Sequence, residues 1–383
     1  MRVAYVCADP GVPVFGHKGA SIHVQEVVRA LGRAGAKVEL FASRVGETAP
    51  PGLEAIPLHR LPRAAREIGA AERERAAREG NAWLGERIAA LGPWDLVYER
   101  YSLWSFAALE QARARGIPAV LEVNAPLIDE QALHRELADR DAAVAVARRA
   151  FAAATAIAAV SQGVAEWLEG FAEARGRVHV IPNGVDPSRF PERSPDPGRP
   201  FTVGFVGTLK PWHGIGVLAE AFARLRERDP RAKLLVVGDG PERERLESNL
   251  ATRGLAEAAH LAGAVAATEV PGWLARMDVG VAPYPDSSRF YFSPLKVLEY
   301  MAAGLPVVAS RIGQIADLVE QGRSGLLCPP GDPVALAAAL DHLRRDPALR
   351  ERLGAAGRER AQRSHTWDAV VRTLLSLARA EAS

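Results

Sequence analysis

Short apolar runs alternate with amphipathic helical stripes along most of the chain, and this alternation restricts the possible folds more than any other feature. Val3–Cys7 reads as a buried strand and Ala8–Gly19 as a loop; Ile22, Val24, Val27, Val28 and Leu31 then mark the apolar stripe of a helix leading to a strand at Lys37–Ala42. Strand, helix, strand is a βαβ unit, which requires a parallel sheet with a right-handed crossover. Further strands are expected at Asp95–Tyr98, Ala119–Val123, Ala156–Val160 and His179–Ile181. A second series comes at Phe201–Val206, Lys233–Val237, His260–Val265, Asp278–Ala282 and Leu305–Ala309, so the class is α/β.

With 383 residues the chain exceeds one typical core, and two domains are expected. Pro187–Pro200 contains five prolines and several charges, the clearest linker in the sequence. The expected division is a first domain over 1–190, a linker over 191–200, a second domain over 201–363 and a terminal helix over 364–383. A net charge of +2 gives no sign of a nucleic-acid partner. No apolar run approaches bilayer length, and the strand-like start at Arg2 does not read as a signal peptide. The two cysteines, Cys7 and Cys328, lack metal-ligand spacing and fit a reducing cytoplasm. Arg60–Leu91 reads as one long helix in which Arg63, Arg66, Arg73, Arg75 and Arg78 alternate with Glu67, Glu72, Glu74 and Glu79. Mixed signs mark a solvated face, so a peripheral membrane contact stays open without being indicated.

The chemistry is expected around Pro283–Ser310. Ser293 caps a helix over Pro294–Ala303, ended by Gly304 and Pro306. A helix start leaves amides unpaired and carries partial positive charge, so the amides near Leu295 and Lys296 form a phosphate cradle. Lys296 stands in that first turn, where the helix dipole disfavours a cation unless an anion lies between them. Glu299, on roughly the same face, can accept two ribose hydroxyls; the plainer alternative is a solvent-facing Lys/Glu pair.

Three of the five lysines, Lys18, Lys210 and Lys296, fall in or beside loops rich in Gly, Pro or Trp. The loop Asp9–Ser21 holds Gly11, Gly16 and Gly19 ahead of a helix, without the Gly-x-Gly-x-x-Gly of a dinucleotide site. Gly207–Gly214 repeats the order strand, glycine loop, helix, again phosphate-binding architecture. Asn124–Glu130 is a polar loop at a strand's carboxyl end, with Glu130 its candidate base. His134 reads as a surface or packing histidine.

The run Tyr291–Val308 resembles the carboxylate motif of retaining, GT-B-fold glycosyltransferases of family four, with Glu299 as the second Glu and Gly304-Leu305-Pro306-Val307-Val308 as the tail. Ile181–Asp186 and Gly238–Pro241 match the family's turns in the same order. The resemblance implies two Rossmann-like domains facing across a cleft, with the terminal helix crossing back to the first and Trp367 anchoring it. It implies sugar transfer from a nucleotide sugar to an acceptor hydroxyl with retained configuration, the leaving phosphate taking the acceptor proton. Gly16, Lys18 and Gly19 then approach the donor diphosphate and acceptor, and Asn124 stands where relatives present a His. Thr208 and His213 occupy the usual Arg and Lys places, with Lys210 between them to supply charge. The backbone near Val265 meets the base, and Ser293, Leu295 and Lys296 hold phosphate. Tyr291 takes the place of the first Glu, which contacts the donor sugar. Family prevalence points to a UDP-hexose; no cofactor or metal is implied, since no Asp-x-Asp ends a strand. The acceptor (saccharide, glycolipid or small molecule) and the oligomeric state have no readable code. The alternatives are a related GT-B enzyme such as a nucleotide-sugar 2-epimerase, and a non-catalytic nucleotide-sugar binder.

Overall fold

A computed structural model describes residues 1–63, 67–192, 198–287 and 290–380. The chain forms two compact units. The first holds a seven-stranded sheet of β1 (Arg2–Cys7), β2 (Lys37–Ala42), β3 (Leu58–Arg60), β4 (Leu96–Arg100), β5 (Ala119–Val123), β6 (Ala156–Ala159) and β7 (Val178–Val180). The order is β3-β2-β1-β4-β5-β6-β7, and every pair is parallel. Strand order reverses between β1 and β4, which brings Cys7 beside Arg100 at the carboxyl ends. Ligands of open α/β sheets bind beyond such ends.

The second unit has the same winding over β8 (Thr202–Val206), β9 (Lys233–Val237), β10 (Ala259–Gly263), β11 (Val279–Ala282), β12 (Val307–Ser310) and β13 (Gly325–Cys328). Its order, β10-β9-β8-β11-β12-β13, reverses between β8 and β11. All pairs are parallel, and the central strands are buried almost throughout, as a sheet covered by helices on both faces requires. Two Rossmann-like units, each a parallel α/β sheet, make this a GT-B fold.

Several local expectations are corrected. The stretch from Arg60 is not one helix. Leu58–Arg60 pairs with β2 as an edge strand, and the helix runs only over Ala70–Leu91, behind Gly69. Pro62 cannot donate a helical N–H, which accounts for the break; Arg66 lies outside the described residues. Glu74 is not on a solvated face: it is buried and accepts from the amides of Ala138 and Asp139, at 2.9 and 3.0 Å. The proline-rich stretch is partly structured. Asp186 caps a 3₁₀ turn at Pro187–Arg189, Phe190 is buried in a core cluster of the second unit, and that unit begins at Gly184.

The C-terminal helical region breaks at His365–Thr366 into Pro347–Ser364 and Trp367–Ala380. The second of these helices returns to the first unit. Trp367 is buried there, with its ring edge-on to His23 at 4.9 Å, and Arg33 pairs with Asp368 at 2.7 Å. Among the described residues no helix is long and apolar enough to cross a membrane.

Candidate active site

In the second unit β8 runs into Gly207, a 3₁₀ turn at Pro211–His213, and the helix Ile215–Arg228. The loop is fixed by backbone bonds to the turn after β9: Gly207 N–H donates to Val237 O at 2.9 Å and Leu209 N–H to Asp239 O at 3.0 Å. Gly214 ends the 3₁₀ turn at φ +65°, and a Cβ there would stand 1.5 Å from the Pro283 carbonyl oxygen. Only glycine permits that approach, and it sets the loop against the start of the Pro283 segment.

The helix on the far side of that segment runs over Leu295–Ala302, with Pro294 at the cap position and no capping side chain. Ser293 therefore does not cap it. Its hydroxyl accepts from Asn183 N–H, and its carbonyl from the Asn183 side-chain amide, both at 3.2 Å. Val297 N–H turns back to Pro294 O, which leaves the Leu295 and Lys296 amides as the donors a helix start does not satisfy.

Lys296 is buried at 8% exposure, and no acceptor meets its ammonium. Nζ lies 4.1 Å from the Phe205 ring centroid and 5.5 Å from that of Tyr284. It also lies 3.2 Å from where a Cβ at Gly207 would be, so the glycine leaves room for it under the loop. Burial lowers its pKa from 10.5 to about 7, against the opposing pull of Glu299. His213 gives its Nδ1 proton to the Thr208 carbonyl, which can only accept; Nε2 is then the lone-pair nitrogen. Burial first, then Lys296 and Lys210, push His213 down to about 3, so the ring is neutral and Nε2 accepts instead of donating.

Thr208 is exposed, and Lys210 stands with Nζ 5.5 Å from the Trp212 ring centroid. Glu299 is half-buried one turn beyond Lys296, and Val265 packs against the core cluster beneath. Thr208, Lys210, His213, Leu295, Lys296 and Glu299 thus belong to one loop-and-helix pair at the carboxyl ends of β8 and β11. The sequence reading did not include Phe205 and Tyr284, whose rings flank Lys296.

The other candidates belong to the first unit. Gly16 comes after Val14 and Phe15, whose amides bond to Arg44 O and Val45 O. Lys18 and Gly19 are exposed at the start of the helix Gly19–Arg33. That helix buries Ser21, His23, Gln25 and Glu26, which the apolar stripe did not predict. Gln25 donates to Val14 O at 3.0 Å and Gly16 O at 2.9 Å, and so holds the glycine loop. His23 meets Glu122 at 2.6 Å, with Arg100 3.9 Å from the other carboxylate oxygen. Burial alone would raise the Glu122 pKa, but His23 and Arg100 outweigh it and lower it.

Beyond β5, Asn124 has a buried side-chain N–H group with no acceptor. Glu130 is half-buried on the helix Leu127–His134, and His134 is exposed at its end. Tyr291 and Ser293 cluster with this unit and not with the residues around Lys296.

The profile described as Glycosyl transferases group 1 matches residues 200–346, and the one described as Glycosyltransferase Family 4 matches residues 17–189. The D-inositol 3-phosphate glycosyltransferase of Stackebrandtia nassauensis is 30% identical, over 91% of this chain and 85% of its own. That of Salinispora tropica is 28% identical, over 94% and 80%. Among solved structures, sucrose-phosphate synthase from Thermosynechococcus elongatus has a TM-score of 0.76 at 23% identity, over 99% of this chain and 98% of its own. Anabaena HepE in complex with UDP and glucose has a TM-score of 0.74 at 21% identity, over 99% and 100%. The two profiles account for both halves in order, and the chain belongs to the group 1 glycosyltransferases of family four, enzymes that use nucleotide-sugar donors.

Proposed function

We propose that the chain is a retaining glycosyltransferase that moves a hexose from a UDP-linked donor to a hydroxyl of a saccharide or other polyol. The observation that carries this reading is Lys296, a buried ammonium without an acceptor, set beside two unsatisfied helix amides. Burying such a charge unpaired is costly, and a diphosphate is the group whose oxygens would meet both the cation and the amides. Lys210 and the Thr208 hydroxyl lie on the loop opposite, and Glu299 is the carboxylate for the ribose. The UDP and glucose in the HepE complex and the inositol phosphate in the relatives' name support a UDP donor and a polyol acceptor.

Catalysis in this reading is electrostatic. The bond between the anomeric carbon and the phosphate oxygen breaks while the acceptor oxygen bonds to the same face of the sugar. The acceptor proton passes to the departing phosphate, and the growing negative charge is stabilised by Lys296, Lys210 and the Leu295 and Lys296 amides. Asn124, which donates, and Glu130, which accepts, are the first unit's candidates for binding a further, non-reacting hydroxyl of the acceptor.

The test is thermal stabilisation by nucleoside diphosphates and nucleotide sugars, then NMR of the product's anomeric configuration. A shift with UDP and one UDP-hexose, transfer with retention, and a loss of about 1.5–3 kcal/mol of binding in Glu299→Ala are expected. No shift with any nucleotide would sink the site, and inverted product would sink the mechanism.

A further inference from the structure

The helix Leu295–Ala302 presents two side chains to the end of β8. Lys296 and Tyr300 are four residues apart and so share a face. Lys296 reaches the Phe205 ring and the underside of Gly207. Tyr300 is fully buried, and its hydroxyl accepts from Val206 N–H at 2.8 Å and donates to Val281 O at 3.3 Å. One helix face therefore touches Phe205, Val206 and Gly207, the three consecutive residues through which β8 passes into its glycine loop.

The phenol lies where the sheet opens. Pairing of β8 with β11 covers Val203–Gly204 and Val279–Gly280 and goes no further, although β8 stays paired with β9 up to Val206 and β11 with β12 up to Ala282. Gly207 N–H points to β9, where it donates to Val237 O, so the N–H before it, that of Val206, faces β11. A buried N–H needs an acceptor, and here the Tyr300 hydroxyl stands between the two main chains and serves both. A Cβ at Gly280 would stand 2.5 Å from the Tyr300 ring, so β11 admits that ring only because residue 280 is glycine. Burial raises the phenol pKa, so the proton given to Val281 O stays on the hydroxyl.

We propose that Tyr300 is a positioning residue of the donor site: its hydroxyl, inserted between Val206 N–H and Val281 O, fixes the start of the Gly207–Gly214 loop against the helix that carries Lys296 and Glu299. This rests on the reading of that loop and helix as the diphosphate cradle. Position 300 then governs nucleotide affinity through the loop, without touching the nucleotide.

The experiment compares the full chain with Tyr300→Phe, which keeps the ring and loses only the hydroxyl, and with Thr155→Val as a matched control. The Thr155 hydroxyl likewise accepts a strand N–H, that of Ala119 at 2.9 Å, but in the first unit. Melting temperature, UDP affinity by calorimetry and amide exchange over residues 206–210 are measured for each. Tyr300→Phe is expected to bind UDP about tenfold more weakly and to exchange faster over 206–210, because only the molecules with the loop in place bind. Thr155→Val should keep UDP affinity within about twofold of wild type, whatever its melting temperature. A Tyr300→Phe variant that melts lower yet binds UDP within about twofold of wild type has lost a merely structural bond, and that outcome overturns the proposal. So does weaker binding without faster exchange in the loop, or an equal loss of UDP affinity in both variants. Wild-type protein whose melting temperature responds to no nucleoside diphosphate overturns the reading of the cradle, and this inference with it.

Discussion

The Lys296 ammonium lies 4.1 Å from the centroid of the Phe205 ring, and no oxygen accepts its protons. A cation–π contact is worth about 2 kcal/mol when desolvated, well short of what an ammonium loses on leaving water. The imbalance is why its pKa falls to about 7. It also has a consequence for binding. The groups that act on it are Glu299 on its own helix and His213 on the facing loop, with Tyr284 and Phe205 as rings. His213 is neutral above about pH 3 and does not interfere.

Nucleotide binding should therefore be linked to proton uptake. The diphosphate holds the proton on Lys296, whereas the free site releases it near pH 7. Affinity for UDP is expected to fall as pH rises above about 7, by at most about tenfold per unit for one proton. Calorimetry in two buffers of different ionisation enthalpy measures the uptake directly. Equal apparent enthalpies in both at pH 8 would mean that Lys296 does not meet the diphosphate.

The same residue should lower the stability of the free protein. Its folded pKa is depressed, so below about pH 7 it is charged in both states and the burial penalty is complete. From there to about 10.4 the unfolded chain holds a proton the folded one lacks, and stability rises with pH. Lys296→Met removes the charge at similar volume and should raise the melting temperature at pH 6, by about 2–4 °C per kcal/mol recovered. It should also abolish stabilisation by UDP. A variant that melts lower and still responds to UDP would contradict both assignments.

Gly214→Ala should disrupt the second unit's loop. Left-handed backbone costs about 1–2 kcal/mol in a non-glycine residue, and the new Cβ overlaps the Pro283 carbonyl, adding about 1–3 kcal/mol. Gly216 provides the control, because a Cβ there meets nothing within 4 Å and the residue is helical. Gly216→Ala should be neutral or stabilising by up to about 1 kcal/mol. Urea denaturation separates the two; equal midpoints would mean that the close approach at Gly214 is not real.

The sequence is legible where local rules act. Apolar runs with a period of two or none located nearly every strand, because parallel strands covered on both faces cannot hide their composition. Leu58–Arg60 escaped because a three-residue edge strand containing His59 has no such run. Ser293 was misread as a cap because a Ser before Pro and a helix looks the same whether its hydroxyl serves its own helix or a distant amide such as that of Asn183. The Tyr291 carbonyl accepts from the Ser161 hydroxyl, 130 residues earlier in the chain, a link that no local pattern shows. The buried polar residues of the first helix were equally hidden. Periodicity reports which face is inside, not which inside positions are polar.

Gln25 offers the clearest test of that hidden layer. Its side-chain amide donates to both Val14 O and Gly16 O, so one planar group holds two points of the glycine loop. Gln25→Ala loses both bonds, about 0.5–1.5 kcal/mol each, and leaves two carbonyls in search of water. Gln25→Glu is the sharper variant: an ionised carboxylate has no proton to give, and it would set negative charge against two carbonyl oxygens in a buried site. Faster amide exchange over residues 14–19 is expected in both variants, with the Glu variant more affected. Transfer should slow in the same order, while stabilisation by UDP is retained, because the proposed diphosphate cradle belongs to the second unit. If Gln25→Glu exchanged and turned over like wild type, the loop would not depend on these two bonds, and Gly16 and Lys18 would lose their claim to a fixed place in the site.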